Sequence, residues 1–569
     1  MIDPTKTAPF TAGVTREAAQ RVAIVCAVVM GCIGFLGYFV TDVVDRFGLG
    51  SQHHISSNNI FYFLFFRFER WTSVFSVAWS GFALLYFLRQ GSRTLDHSSR
   101  PPDRRLVPFL AVLAGLIAGI GTYTVCLNHP LAMDEYLTNF QAKIFLSGHV
   151  FAPLGEFWNQ FGGAMTPALA IWDPTRGTWT ANYLPVYAAM RTPFVALGAE
   201  TLLNPLMTLG SVWLIASIAR RLWPDDAWAP VMAGLFLAFS PQVLVTGMTA
   251  YSMPAHLFLN LLWLALYLRD DRVGLGWAPW VGIASMNLHQ PNIHAIFVAP
   301  FLIRMVLERR WGRSTYFASI YLVGCAFCLY WMKLKAQLPA PGETGDDLGQ
   351  LRIVLGFFSQ FGFRSWINTG VLFPQIFLWQ SWAVGFFALA SLRRVRSLPK
   401  PLFDLFCGLV LCLLFYFLYG FGQGHGWGNR TFYPFLGGFC LLAVAGWNSL
   451  ASLPGRRTVL AASLAITLFL EFPYRCFEVY SVTEPFATAD RYLRDIKDPL
   501  VIVDTVPIWY GQDLVRNDPF LTNTPKYFFA VALDPARIDA LSRMGKVRVV
   551  KAPELLTLGL SDRRREAPP

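Results

Sequence analysis

Charge is what this chain has least of. Only 14% of its 569 residues are Asp, Glu, Lys or Arg, against roughly a quarter in a soluble protein. So little charge excludes an ordinary water-soluble globule. With 54% hydrophobic residues, 15% aromatic residues and a mean hydropathy of +0.42, the composition is that of an integral membrane protein. Other absences narrow the class further. No Gly-rich nucleotide-binding βαβ unit occurs in the apolar part, so a soluble nucleotide donor has no visible cradle. No internal repeat is evident, which removes support for a transporter built from paired halves. No convincing cleavage site follows the polar segment Met1–Arg21, so the first apolar span is expected to be retained. Of the nine cysteines, all but Cys476 sit inside apolar stretches; Cys325 and Cys328 have metal-like spacing but no polar partners, and read as core. The basic excess of +12 is scattered in short clusters, not gathered in a patch, and implies no nucleic-acid partner.

What is present is a series of apolar segments, about 13 in all, each near the length that crosses a bilayer. They are Val22–Val40, Trp71–Leu88, Leu106–Leu127, Thr201–Ala219, Ala229–Thr246, Met253–Leu268, the short pair Trp277–Met286 and Ile293–Val306, Tyr316–Met332, Val371–Leu392, Leu402–Gly420, Phe432–Leu450 and Val459–Phe472. Lys and Arg mark cytoplasmic loops. The basic clusters Arg89–Arg105, Arg220–Arg221, Arg269–Arg272, Glu308–Arg313, Arg393–Lys400 and Arg456–Arg457 all fall on one side if the N-terminus is cytoplasmic and the C-terminus external.

That alternation collects the polar, chemically able residues on the other side. Asp134 and Glu135 stand just after a span and open an amphipathic run to His149. Two carboxylates at the mouth of a membrane helix point to a site; the plainer reading is an acidic helix N-terminus. The loop from 128 to 200 is rich in aromatics (Phe157, Trp158, Trp172, Trp179, Tyr183, Tyr187) and suits interfacial helices. A hairpin tip carries His289, Gln290, Asn292 and His294, and a late Gly-rich loop carries His425 and Arg430. An acidic loop holds Glu343, Asp346 and Asp347, read as solvated. After Tyr474 the composition changes: Leu500–Asp504 and Val547–Val550 read as buried strands, Asp490–Ile496 and Pro535–Met544 as helices of a small α/β unit.

Four stretches taken in order resemble the GT-C membrane glycosyltransferases, in the branch of the aminoarabinose transferases and protein O-mannosyltransferases. They are Asp134-Glu-Tyr through Ala-Lys-Ile-Phe-Leu-Ser-Gly-His-Val-Phe-Ala-Pro153, Tyr183-Leu-Pro-Val-Tyr through Gly198, Ser240-Pro through Tyr251-Ser252, and Trp427-Gly-Asn-Arg430 through Pro434. The resemblance spans roughly residues 106–450. It departs from the pattern in three places. Two spans precede the acidic loop, Asn182-Tyr-Leu-Pro185 stands where a lysine is often found, and the hairpin tip lacks the usual Arg-Pro.

The resemblance, taken with the charge and composition patterns, implies an all-α polytopic fold with a GT-C-like core at 106–473; the patterns add two extra helices within 22–105, a cytoplasmic tail 1–21 and a small α/β unit at 474–569. It also implies an inverting glycosyl transfer from a polyprenyl-phosphate-linked sugar to an envelope glycan, lipid or protein at the external, periplasmic face of a bacterial inner membrane. Such chemistry needs a carboxylate for the acceptor's proton and cations for the departing phosphate. Asp134 is the expected base and Glu135 its partner. Arg430 is the expected phosphate contact, with Lys143 the other candidate; snorkelling to the headgroups would equally explain Lys143. His289, Gln290, Asn292, His425 and Tyr183 are expected to touch substrate. No cofactor is expected; a metal held by His289 and His294 lacks an adjacent carboxylate. The rival classes are a glycolipid transporter or flippase and a non-catalytic envelope-assembly protein.

Overall fold

The computed structural model describes residues 15–46, 59–89, 101–336, 363–419, 426–453 and 455–562. It is mostly helical, as the hydropathy pattern demands, because a backbone in lipid must satisfy its own hydrogen bonds. Two long helices, α1 (Arg16–Arg46) and α2 (Asn59–Arg89), pack on each other as an N-terminal pair. Next come α3 (Leu106–Thr124) and α4 (Met133–Leu146), the latter carrying the acidic pair in its first turn. Seven described helices are long and apolar enough to cross a membrane, or up to nine if each of two bent pairs is one span.

The bends are where the structure departs from the expected spans. Ala229–Ala238 and Pro241–Gly247 meet at 59°, where Ser240 caps the second helix at Pro241. Thr369–Leu378 and Trp382–Leu392 meet at 104°, around the buried polar residues Gln380 and Ser381. The stretch expected at Phe432–Leu450 is the helix Leu436–Ser449, buried on every side by other helices. Apolar side chains exposed on the outer helices, such as Phe109, Leu116, Ile120, Leu322 and Leu329, form the lipid-facing surface.

The first long loop is only partly helical. Besides the helix Pro185–Ala196 it contains a small antiparallel sheet in the order β1-β3-β2, with β1 (Ala152–Pro153), β2 (Ala170–Asp173) and β3 (Thr178–Ala181). Trp172 and Trp179, expected on interfacial helices, face each other across this hairpin. The physical reason is the turn Asp173-Pro-Thr-Arg-Gly177: Asp173 accepts from Thr175 and Arg176 amides, and Gly177 takes φ 62°.

The last helical run continues unbroken from Arg456 to Asp495, past the expected boundary at 473. It leads into a parallel sheet in the order β5-β4-β6: β4 (Leu500–Val503), β5 (Lys526–Phe529) and β6 (Val547–Val550). The unbroken apolar run of β4 is buried on both faces, as a central parallel strand should be. Leu500 and Ile502 pack with Met133, Leu137, Phe140 and Trp179 of the first loop. Val501 and Val503 turn to Val479, Phe486 and Leu493 of the long helix. The C-terminal sheet therefore shares its core with the loop that carries Asp134.

Candidate active site

Five segments distant in sequence meet around the first turn of α4. Asp134 projects from that turn and forms an ion pair with Arg430, Oδ2 to Nη1 at 2.6 Å. The Tyr183 hydroxyl donates to Asp134 Oδ1. The Tyr183 ring lies 4.8 Å from the imidazole of His289, centroid to centroid. Arg430 Nη2 lies 3.4 Å from His289 Nε2, and its guanidinium sits 5.0 Å from the centroid of the Tyr251 ring. Asp134, Tyr183, Tyr251, His289 and Arg430 thus form one cluster.

Each position has a local cause. Arg430 stands in a loop whose carbonyls at Trp427 and Asn429 accept from Gln242 Nε2, at 3.1 and 2.8 Å. Gly428 is required there: its φ is 66°, and a Cβ would meet Gln242 and Trp379 at 2.8 Å. Asn429 Oδ1 accepts from the Phe432 amide at 3.0 Å and starts the next helical turn. Tyr183 precedes Pro185, whose fixed φ suits the first position of its helix.

The electrostatics separate the two acidic neighbours. Burial raises the carboxyl of Asp134, but Arg430, His289 and the Tyr183 hydroxyl outweigh it and hold it at about 2. Asp134 is therefore firmly ionised. Glu135 points elsewhere: it is buried, accepts the Ala250 amide at 2.8 Å, and burial pushes its carboxyl up to about 7. It ties α4 to the turn beside Tyr251. Burial and then Arg430 lower His289 to about 4, so the imidazole is neutral and its Nε2 is able to accept from Arg430.

Other expected contacts lie elsewhere. Lys143, nine residues along α4 and so about 13 Å away, pairs with Asp518 at 2.7 Å with its side chain half exposed. The helical rise carries Lys143 away from Arg430, and Asp518 of the C-terminal segment meets its charge instead. Gln290 and Asn292 both bond the Tyr416 hydroxyl, at 3.3 and 3.1 Å. His294 is enclosed between Asn260 and Tyr321 and is not paired with His289. His425 and the acidic loop with Glu343, Asp346 and Asp347 lie outside the described residues.

Lys335 is the residue sequence reasoning missed. It ends the helix Trp311–Ala336, is 6% exposed, and donates to the Tyr183 carbonyl at 2.9 Å, with Asn182 Oδ1 at 3.5 Å. Both partners are neutral, and no described carboxylate pairs with it. Lys335 reaches the Asn182-Tyr183 position where the resemblance expects a lysine in the loop itself. One sequence signal existed: Lys333 and Lys335 lie at the end of a span opposite the basic loops, against the general rule.

No family model matches the chain, and no curated protein sequence matches it. Solved structures do. ArnT from Cupriavidus metallidurans bound to undecaprenyl phosphate is similar with a TM-score of 0.52 at 12% identity, over 80% of this chain and 95% of that chain. The same protein in the apo state gives 0.46 at 13% identity, over 80% and 94%. The mostly helical, polytopic architecture anticipated from the sequence is found, and this chain has the fold of ArnT.

Proposed function

We propose that this chain is a membrane glycosyltransferase that moves a sugar from a polyprenyl phosphate to an acceptor at the external face, with Asp134 as general base. One observation carries this reading: an ionised carboxylate and a buried arginine are paired at the meeting point of the four resembling loops, beside a buried lysine whose charge has no described counter-ion. A charge kept from water without a counter-charge is costly, and an arriving anion relieves that cost. Lys335 ends a helix whose outer face exposes Leu322, Leu329 and Tyr330, so a lipid carrier could lie along that face with its phosphate near the lysine. The structural neighbour crystallised with undecaprenyl phosphate supports a carrier of that class.

The chemistry follows from the pairing. With no ligand, Arg430 suppresses the basicity of Asp134. A donor phosphate accepting from Arg430 and Lys335 draws the guanidinium away and raises the carboxylate's affinity for a proton. The acceptor hydroxyl then gives its proton to Asp134 while its oxygen bonds to the anomeric carbon. The bond from that carbon to the phosphate oxygen breaks on the opposite face, and its electron pair leaves on the phosphate. Attack from the face opposite the leaving group inverts the configuration. Arg430 and Lys335 stabilise the charge that develops on the phosphate.

The test is turnover of a polyprenyl-phospho-sugar by purified protein in detergent, where transport has no meaning. Asp134→Asn keeps the shape and most hydrogen bonds but loses the basic lone pair, so turnover falls about 100-fold or more in folded protein. A merely capping Asp134 predicts the opposite, since Asn caps a helix nearly as well. Near-normal turnover in Asp134→Asn removes it as the base. Glu135→Gln is milder, because an amide oxygen still accepts from Ala250.

A further inference from the structure

The start of α1 and the end of the helix Trp382–Leu392 do not close on each other. Farther along they touch: Met30 packs where Gly385 has no side chain, and a Cβ there would meet the Met30 sulfur at 3.0 Å. From that contact to the helix ends a cavity of about 640 Å³ remains between them. Val25, Val29, Leu389 and Leu392 line its walls, and Arg21 and Arg393 stand at its end. Val25, Val29 and Leu392 are exposed on the outside of the bundle, so the cavity opens toward lipid.

The end of the molecule that holds this cavity is made basic by assembly. Gln20 donates to the Phe87 carbonyl at 2.6 Å, which sets Arg21 near the end of α2 at Arg89. The Tyr86 hydroxyl donates to Thr458 Oγ1 at 3.1 Å, which brings in Arg456 and Arg457. Basic clusters far apart in sequence thus meet around the cavity. Arg21 and Arg393 are exposed, and neither side chain has a hydrogen bond or ion pair among the described residues. Glu17, one turn before Arg21, is the one carboxylate among the lining residues, so the lining keeps a net positive charge.

We propose that this cavity binds an anionic glycerophospholipid of the cytoplasmic leaflet, with its phosphate between Arg21 and Arg393 and an acyl chain along Val25, Val29 and Leu389. Three features select that ligand. Forked guanidinium donors suit phosphate oxygens. Apolar walls open to the bilayer suit a chain, whereas a small soluble anion leaves them wet. The positive-inside rule assigns this end of the helices to the cytoplasm, where the leaflet surface is negative. A lipid seated there bridges α1 to the helix Trp382–Leu392. The inference stands apart from the reading of Asp134 as the base.

Native mass spectrometry of the full chain released from detergent tests it, with phosphatidylglycerol and phosphatidylcholine as probes. Phosphatidylglycerol is expected to bind about tenfold more tightly, the scale of two cations near one anionic headgroup. Arg21→Gln combined with Arg393→Gln is expected to abolish that preference. Arg104→Gln combined with Arg220→Gln is expected to keep it, since those exposed arginines do not line the cavity. Val25→Trp fills the cavity without changing charge and is expected to remove most of the binding. A preference lost equally in both arginine pairs, or left intact in Val25→Trp, overturns the site, because surface charge alone then attracts the lipid. Displacement of phosphatidylglycerol by inorganic phosphate assigns the arginines to a free anion. Displacement by undecaprenyl phosphate at equal concentration assigns the cavity to a polyprenyl carrier. Binding that appears only when residues 2–14 are removed assigns it to the start of the chain. Each of these three outcomes overturns the phospholipid. The substituted arginines are exposed, so melts near wild type are expected. Should the cavity pair fail to fold, Val25→Trp and the competition decide alone.

Discussion

Two buried arginines in this protein each pair with a carboxylate beside an aromatic ring, yet differ in how completely they are enclosed. Arg475, in the helix Phe472–Asp495, bonds Glu69 through both terminal nitrogens at 3.0 Å, Glu478 at 2.8 Å, Thr72 at 3.2 Å and the Leu378 carbonyl at 3.3 Å. Its guanidinium lies 3.9 Å from the centroid of the Trp379 ring, and the Trp379 indole itself donates to Glu69 at 2.6 Å. Arg430 likewise has a carboxylate and an aromatic ring, Asp134 and Tyr251. Closure separates the two. Arg475 is fully buried and tied to α2, to its own helix and to the break after Leu378, so its charge clasps the N-terminal helix pair to the rest of the bundle. Arg430 is 9% exposed, its carboxylate partner is held by a tyrosine hydroxyl, and a lysine with no described counter-ion bonds that tyrosine's carbonyl. A buried cation enclosed by carboxylates holds a fold together. One that shares a carboxylate beside a second cation is the one that exchanges partners on the proposed reading.

The comparison breaks if the clasp can be cut cheaply. Arg475→Leu leaves Glu69 and Glu478 buried without a counter-charge, and is expected to destabilise the protein by about 3–5 kcal/mol, the scale of a broken buried pair. Thermal unfolding in detergent measures it; a melt near wild type would place the clasp among dispensable contacts. The effect at the other arginine is expected in function. Arg430→Ala and Lys335→Met each lose a charge-assisted phosphate contact, worth on the order of 2 kcal/mol, and so raise the donor KM about 30-fold. Donor titrations of both variants, with melts alongside, sharpen the contrast: donor kinetics unchanged in Lys335→Met removes the lysine from the phosphate. The smallest effect is expected at Lys143. Its pair with Asp518 is half exposed on the lysine side, and such pairs contribute less than about 1 kcal/mol. Lys143→Ala should therefore leave the donor KM near wild type; a large rise would restore it to the site.

The sequence made the loops around the site legible because each carries its signal locally. Asp134 follows an apolar span, Arg430 sits in a Gly-rich loop, and Tyr183 precedes a proline-started helix. Period and hydropathy also located β4, β6 and the helix Pro535–Met544. Lys335 was not legible as part of the site, because a lysine closing an apolar helix has the same local signature as one snorkelling to headgroups. Nor was β5, since Lys526-Tyr-Phe-Phe529 lacks the β-branched run of β4 and β6 and shares the aromatic character of the loops. Trp179 looked interfacial by type; what buries it is Phe140 on one side and the C-terminal segment on the other, and neither is a neighbour in sequence.

By itself, then, the sequence determined the solvent this protein lives in, the approximate course of its helices and which loops hold reactive groups. Those properties follow from transfer free energies and helical periodicity, which act over stretches of about 20 residues. Only the tertiary structure decided the partners: Asp134 with Arg430, Lys335 with the Tyr183 carbonyl, Lys143 with Asp518, and Arg516 with the carbonyls that precede the Asp134 helix. Each of these joins residues far apart along the chain. A local pattern shows that a carboxylate or a cation is present, but the group that meets its charge is fixed by how the helices, the first loop and the C-terminal sheet pack together.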